Sequence, residues 1–215
     1  MFCNYCGAQN PGDASFCSAC GKAIGAARNP PQAVQSVQDA ELWDRLILPA
    51  VVKQQLQNPF QTLREAARGT SQSASLSNIL LFGPAGTGKT GIVRAFANAA
   101  GVAFLAVTAA DLKSQFIGQS ASRVRDVFTR ARAVAPAIVF IDRIDTAAAK
   151  RNAGQCDPST AEVVAELLMQ MTGLLKFQRP VMVTAATDVP DQVDDVIRSR
   201  FRMIEIPLPD EAARP

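Results

Sequence analysis

Gly83-Pro84-Ala85-Gly86-Thr87-Gly88-Lys89-Thr90 is the stretch on which the reading of this chain turns. It fits the pattern GxxxxGK[ST], and its spacing has a physical reason. The glycines let the backbone wrap closely round a phosphate chain with its N–H groups pointing inward. Lys89 is placed to reach the β- and γ-phosphates, the Thr90 hydroxyl to ligate Mg²⁺, and the helix that follows to offer its positive N-terminus to the anion. The flanks satisfy the context this loop needs. ILLF at 79–82 is a short apolar strand, and the residues after Gly88 carry Ile92, Val93, Phe96 and Ala97 at helical spacing. The expectation is a site for ATP with Mg²⁺ running from Gly83 to Thr90, through Pro84, Ala85, Gly86, Thr87, Gly88 and Lys89.

Outward from the loop, helical and strand patterns alternate, which implies a parallel α/β sheet. Strands are expected at 79–82, 103–107, 137–141, 181–185 and 203–206. Between them, one helix buries Val124, Val127, Phe128 and Ala131, and another buries Val163, Val164, Leu167, Leu168 and Met171. A helix at about 40–56 and a loop at 68–75 precede the first strand. Ala137–Asp142, AIVFID, is an apolar strand ending in a carboxylate, and Asp142 is placed to hold the magnesium water shell. The fold class is thus a P-loop NTPase, a five-stranded parallel sheet sandwiched by helices.

The N-terminal region differs in composition. Phe2-Cys3-Asn4-Tyr5-Cys6-Gly7 and Phe16-Cys17-Ser18-Ala19-Cys20-Gly21 are two copies of FCxxCG. Two such pairs supply four thiolates for a tetrahedral Zn²⁺ site, with Cys3, Cys6, Cys17 and Cys20 as ligands. Two disulfides or a redox pair are the alternatives. Disulfides fit poorly, because MFCNYCGAQN has neither the basic nor the apolar part of a secretion signal. So short a region cannot build its own core, so metal would supply most of its folding energy. Residues 25–39, GAARNPPQAVQSVQD, read as a linker. The expected organisation is a zinc ribbon at 1–24, a linker at 25–39 and a nucleotide-binding core at 40–215. Cys156 reads as an ordinary free thiol in a loop.

Composition excludes several classes. The 215 residues are 48% hydrophobic and 19% charged, as in a packed globular protein. No stretch reaches the roughly 18 apolar residues of a membrane span, and a cytoplasmic location is the default. The net charge is +3, and residues 1–40 balance Lys22 and Arg28 against Asp13 and Asp39. A neutral ribbon disfavours nucleic acid as partner and favours a knob that docks a protein. There is no histidine, so no imidazole serves as base or ligand.

Together these motifs resemble the large α/β subdomain of an AAA ATPase over roughly residues 40–210. GPAGTGKT is similar to Walker A and AIVFID to Walker B. RVRDVFTRARAVAPAIVFID reads like the family throughout. AATD at 185–188 lies where sensor 1 lies, IRSRF at 197–201 resembles the arginine-finger segment, and IPLPD at 206–210 closes the subdomain. Phe116-Ile117-Gly118 lies where the family carries its pore loop. The resemblance implies a ring, homo- or hetero-oligomeric, in which a neighbour's arginine completes each ATP site and aromatic loops grip a protein substrate. Arg200 is then the first finger candidate, Arg198 the second, and Phe116 the gripping aromatic. The alternatives are a solvated helix end for the arginines and inward packing for Phe116.

The chain also departs from that family. Where the family has a water-polarising glutamate after the Walker B aspartate, this chain has Arg143, and where sensor 1 has asparagine it has Asp188. An arginine cannot accept the proton, and losing a general base costs roughly 10²–10⁴ in rate. An ion pair between Arg143 and Asp188 beside the γ-phosphate is expected, with Asp145 a substitute base of lower rank. The family's second finger falls on Met203. The chain stops at Pro215, before the helical lid would begin. Three functions compete: an ATP-binding switch or scaffold with slow hydrolysis, which Arg143 favours; an active ATP-driven remodeller of proteins; and a zinc-ribbon nucleic-acid binder.

Overall fold

Five strands form one all-parallel sheet in the computed structural model of the chain, which describes residues 48–68, 76–114, 116, 118–150, 157–174 and 180–208. The chain divides into two units, Met1–Gln32 and Ala33–Pro215. All described residues belong to the second; the four ribbon cysteines, the linker at 25–39, Cys156 and the expected loop from residue 69 to 75 lie outside the described residues.

The strands are β1 (Ile79–Phe82), β2 (Ala103–Val107), β3 (Ala137–Ile141), β4 (Val181–Thr187) and β5 (Arg202–Glu205), in the spatial order β2-β3-β4-β1-β5. Three match the expected spans. The fourth continues to Thr187, because Ala186 and Thr187 stay buried and paired with Leu81 and Phe82 of β1. The fifth sits one residue earlier than expected, its Arg202 opposite Ile79. β3 and β4 are buried throughout, as parallel strands covered on both faces must be.

Alternate strand residues feed two cores. On one face Leu80, Leu105, Val139, Ile141, Val183 and Ala185 pack with Val124, Val127, Phe128, Val163 and Leu167. The last five come from two long helices lying together, Gln119–Ala133 and Pro158–Leu174. Leu168 is only half-buried at its rim. On the other face Ile79, Leu81, Ile138, Phe140 and Met182 pack under Leu56, Phe60, Leu63, Ile92, Val93 and Phe96. Numbered in chain order, the helices are α1 (Ala50–Ala67), α2 (Lys89–Ala100), α3 (Ala109–Leu112), α4 (Gln119–Ala133), α5 (Ile144–Ala147), α6 (Pro158–Leu174) and α7 (Asp195–Arg198).

Of the helix expected at about 40–56, residues 40–47 lie outside the described residues; the first described helix spans Ala50–Ala67, continuing past 56 and through Pro59. Proline inside a helix removes one hydrogen bond and costs about 3 kcal/mol. The compensation is burial of Leu56, Phe60 and Leu63, all nearly inaccessible, with the Phe60 ring stacked on Phe96 at 3.3 Å between centroids. Apolar packing outweighs local propensity here.

Candidate nucleotide site

Because all strands are parallel, their carboxyl ends open on one side, where α/β sheets place ligands. The loop 83–88 leaves β1 there, Asp142 ends β3, and Asp188 ends β4, the strand lying between the other two.

The loop takes its shape from its glycines. Gly86 and Gly88 both have φ +81°, and a Cβ at either would meet nothing within 4 Å. Gly83 is different: at φ +145° its Cβ would lie 2.2 Å from the carbonyl oxygen of Ile206. Its missing side chain admits the chain leaving β5, whereas Gly86 and Gly88 border open space. Helix α2 begins at Lys89 with no side chain capping it, so the amides of its first turn are available to an anion. That arrangement fits a phosphate chain.

Lys89 is buried beneath the loop. Its ammonium donates to the carbonyl oxygens of Gly83 at 2.8 Å and Pro84 at 2.9 Å and to Asp188 Oδ1 at 2.7 Å. The Thr87 hydroxyl stands further off, at 3.5 Å. This overturns the expected Arg143–Asp188 pair. β4 is flanked by β1 as well as β3, and the buried Lys89 cation has the greater need of a counter-charge. Arg143 instead points into solvent, with its backbone left-handed at φ 52°, ψ 54°. Among the described non-glycine residues it alone has positive φ.

Asp145 is also engaged. It accepts a hydrogen bond from Thr187 Oγ1 at 2.5 Å, and the Thr187 hydroxyl in turn accepts from the Val189 amide at 3.0 Å. These bonds hold the backbone on both sides of Asp188. By contrast, the Thr90 hydroxyl and the Asp142 carboxylate, both half-buried, have no hydrogen-bond partner among the described residues. A hydroxyl at the start of α2 and a carboxylate at the end of β3, both left available at the carboxyl side of the sheet, are a donor set that suits Mg²⁺, a hard cation with oxygen ligands. When bound, the ion would neutralise charge on the phosphates.

The other candidates lie apart from this cluster. Arg200 precedes β5, whose Arg202 pairs with Ile79 at the start of β1. It therefore sits at the opposite end of the sheet from its own phosphate loop, about 13 Å away along a four-residue strand. It is exposed and has no ionic partner among the described residues. Arg198 is held by Asp191 and Asp195, each at 3.1 Å. Met203 is 40% exposed. Phe116 is 69% exposed, which excludes inward packing. It lies beyond β2, three strands from β1, about 14 Å across the sheet. Asp145 with Thr187 was missed as a positioning pair, although a threonine directly before the strand-end Asp188 was a visible signal.

These features define a P-loop nucleotide-binding α/β domain. The chain belongs to the ATPase family associated with various cellular activities (AAA), whose profile matches residues 79–208, more than half of the chain. A zinc-ribbon domain profile matches residues 2–24. Among its relatives is the Protein SUPPRESSOR OF K(+) TRANSPORT GROWTH DEFECT 1 of Arabidopsis thaliana, 40% identical over 63% of this chain and 31% of that protein. The cell division cycle protein 48 homolog of Archaeoglobus fulgidus is 41% identical over 63% of this chain and 19% of its own length. The human ATPase family gene 2 protein homolog A is 39% identical over 63% of this chain and 16% of its own. The chain thus spans a third or less of these relatives. No helix among the described residues is long and apolar enough to cross a membrane.

Proposed function

We propose that this chain is an ATP-binding AAA module that hydrolyses ATP slowly or not at all and serves as a switch or scaffold in a protein-remodelling assembly. The observation that carries the reading is the state of the carboxylates beside the phosphate loop. Position 143 holds an exposed arginine, Asp145 is committed to Thr187, and Asp188 to Lys89. Neither carboxylate is free to take a proton from an attacking water, while Thr90, Asp142 and the amides of the loop remain for binding.

Steady-state phosphate release by the wild type beside Arg143→Glu tests it. Wild-type turnover well below about one per second is expected, typical working ATPases reaching at least that. The glutamate variant should gain on the order of 10²-fold. Turnover at or above one per second in the wild type, abolished by Lys89→Ala, would sink the switch reading in favour of an active remodeller.

In this reading residues 40–215 form the core, 25–39 the linker and 1–24 a ribbon holding Zn²⁺ through Cys3, Cys6, Cys17 and Cys20. One zinc per chain by elemental analysis, lost in Cys3→Ser, is the expected result. A ring contact is supported by Arg200, which is exposed, without an ionic partner among the described residues, and far from its own loop. That geometry suits completing a neighbour's site. Phe116 is then available to a protein substrate, and a cytoplasmic setting fits such a partner.

A further inference from the structure

We infer that Asp188 is a specificity-determining residue that competes with the third phosphate of ATP for Lys89 and so biases the site toward nucleoside diphosphates. The inference rests on the nucleotide-site reading above and adds to it a preference between ligands.

A lysine ammonium has three N–H donors. In Lys89 all three have short partners: the Gly83 carbonyl, the Pro84 carbonyl and the Asp188 carboxylate. The lysine that should grip the β- and γ-phosphates is therefore already neutralised by the chain itself. Its partner is not a loose surface group. Thr187 and Val189, on either side of Asp188, are tied to each other and, through the Thr187 hydroxyl, to Asp145 on α5. The Asp188 side chain is 39% exposed while that of Lys89 is 9% exposed, so the carboxylate faces the open side of the site and shields the cation behind it.

A nucleoside diphosphate can lie on the loop amides and the α2 N-terminus. A triphosphate must also place a further dianionic group beside Lys89, where it meets a carboxylate of like charge. Either the Lys89–Asp188 bond opens or the third phosphate stays short of the lysine. Both cost ATP more affinity than ADP, which brings only its β-phosphate to the lysine. An amide at position 188 would impose no such competition.

The test is calorimetric titration of the full-length chain, with Mg²⁺, using ADP and a non-hydrolysable β,γ-methylene analogue of ATP. Wild type, Asp188→Asn and Asp188→Ala are compared, with thermal melts confirming that each is folded. The triphosphate-to-diphosphate Kd ratio is expected to fall about tenfold in both variants, the equivalent of one charge-assisted hydrogen bond no longer given up. An unchanged ratio in variants that bind both nucleotides overturns this inference alone. A fall in the asparagine variant but not in the alanine variant also overturns it, since a new amide donor would then be the cause. Failure of every variant to bind either nucleotide overturns the site reading and this inference with it.

Discussion

Replacing Gly83 by alanine should damage the fold more than it damages phosphate contact. The added Cβ would stand 2.2 Å from the Ile206 carbonyl oxygen, where 3.0 Å is the least separation real Cβ atoms show. One backbone must therefore yield by at least 0.8 Å. Ile206 cannot yield freely, being buried and bonded through its amide to the Phe82 carbonyl at 2.7 Å. Losing that bond costs about 1 kcal/mol, and a non-glycine residue at this positive φ costs roughly 1–3 kcal/mol. With displaced packing at the β1–β5 edge, the expected destabilisation is about 3–5 kcal/mol, a large part of the roughly 5–15 kcal/mol that holds a domain together. Urea denaturation followed by circular dichroism measures it, and the melting temperature should fall by roughly 10 °C. Gly86→Ala is the comparison: it has comparable φ strain but open space around its Cβ, so it should lose only about 1–2 kcal/mol. If Gly83→Ala is no worse than Gly86→Ala, the close approach of Ile206 does not govern this position.

Glu166, 3% exposed, accepts from Arg125 at 2.9 Å and from Gln170 at 2.7 Å, joining α4 to α6. Glu166→Ala should cost about 1–3 kcal/mol, mainly by leaving the buried Gln170 amide without its acceptor, since water can reach the half-exposed Arg125, read as a shifted urea midpoint. Asp157 leads into α6, and the hydrogen bond from Thr160, with lesser help from the Ser159 amide and Lys113, holds its carboxyl below the usual carboxylate range. A lowered folded-state value means that its stabilisation is complete above the ordinary carboxylate range and is lost as pH falls through the lowered value. Asp157→Asn should therefore flatten the acid side of the stability–pH curve measured by thermal melts. Phe116→Ala should leave the melting temperature unchanged, within about 0.5 kcal/mol of stability, because the ring is exposed. A drop would mean that the ring packs on the fold rather than facing a partner.

The sheet and the phosphate loop were legible because parallel strands, covered on both faces, are continuous apolar runs, and a glycine-rich loop followed by Lys-Thr has one physical purpose. The run of helix α1 beyond residue 56 was missed: Pro59 argues locally against a helix, while the packing of Phe60 on Phe96 comes from 36 residues further along. The glycines of the loop look equivalent in sequence, yet Gly83 answers to Ile206 and the other two to open space. The partner of Asp188 was also beyond sequence reasoning. Both neighbours of β4 end near it, and the choice of Lys89 over Arg143 depends on which cation is buried, which no spacing reveals.

The changes at 143 and 188 can be read as one exchange of charge. The AAA resemblance implies a glutamate and an asparagine at these positions, one negative charge in all; Arg143 and Asp188 sum to zero. The carboxylate has in effect moved one strand toward β1, from where it would meet water to where it meets Lys89. At the first position a carboxylate accepts a proton and leaves the lysine free. At the second it occupies the lysine and accepts that donor instead. This displacement leaves the phosphate-binding loop in place and removes the carboxylate that the resemblance implies at position 143. It follows that Arg143→Glu alone restores the base but not the lysine. Combining it with Asp188→Asn should raise kcat/KM beyond the single variant, by more than the product of the two separate effects. Strict additivity in that double-mutant cycle would show that the two positions act independently and that the exchange has no mechanistic meaning.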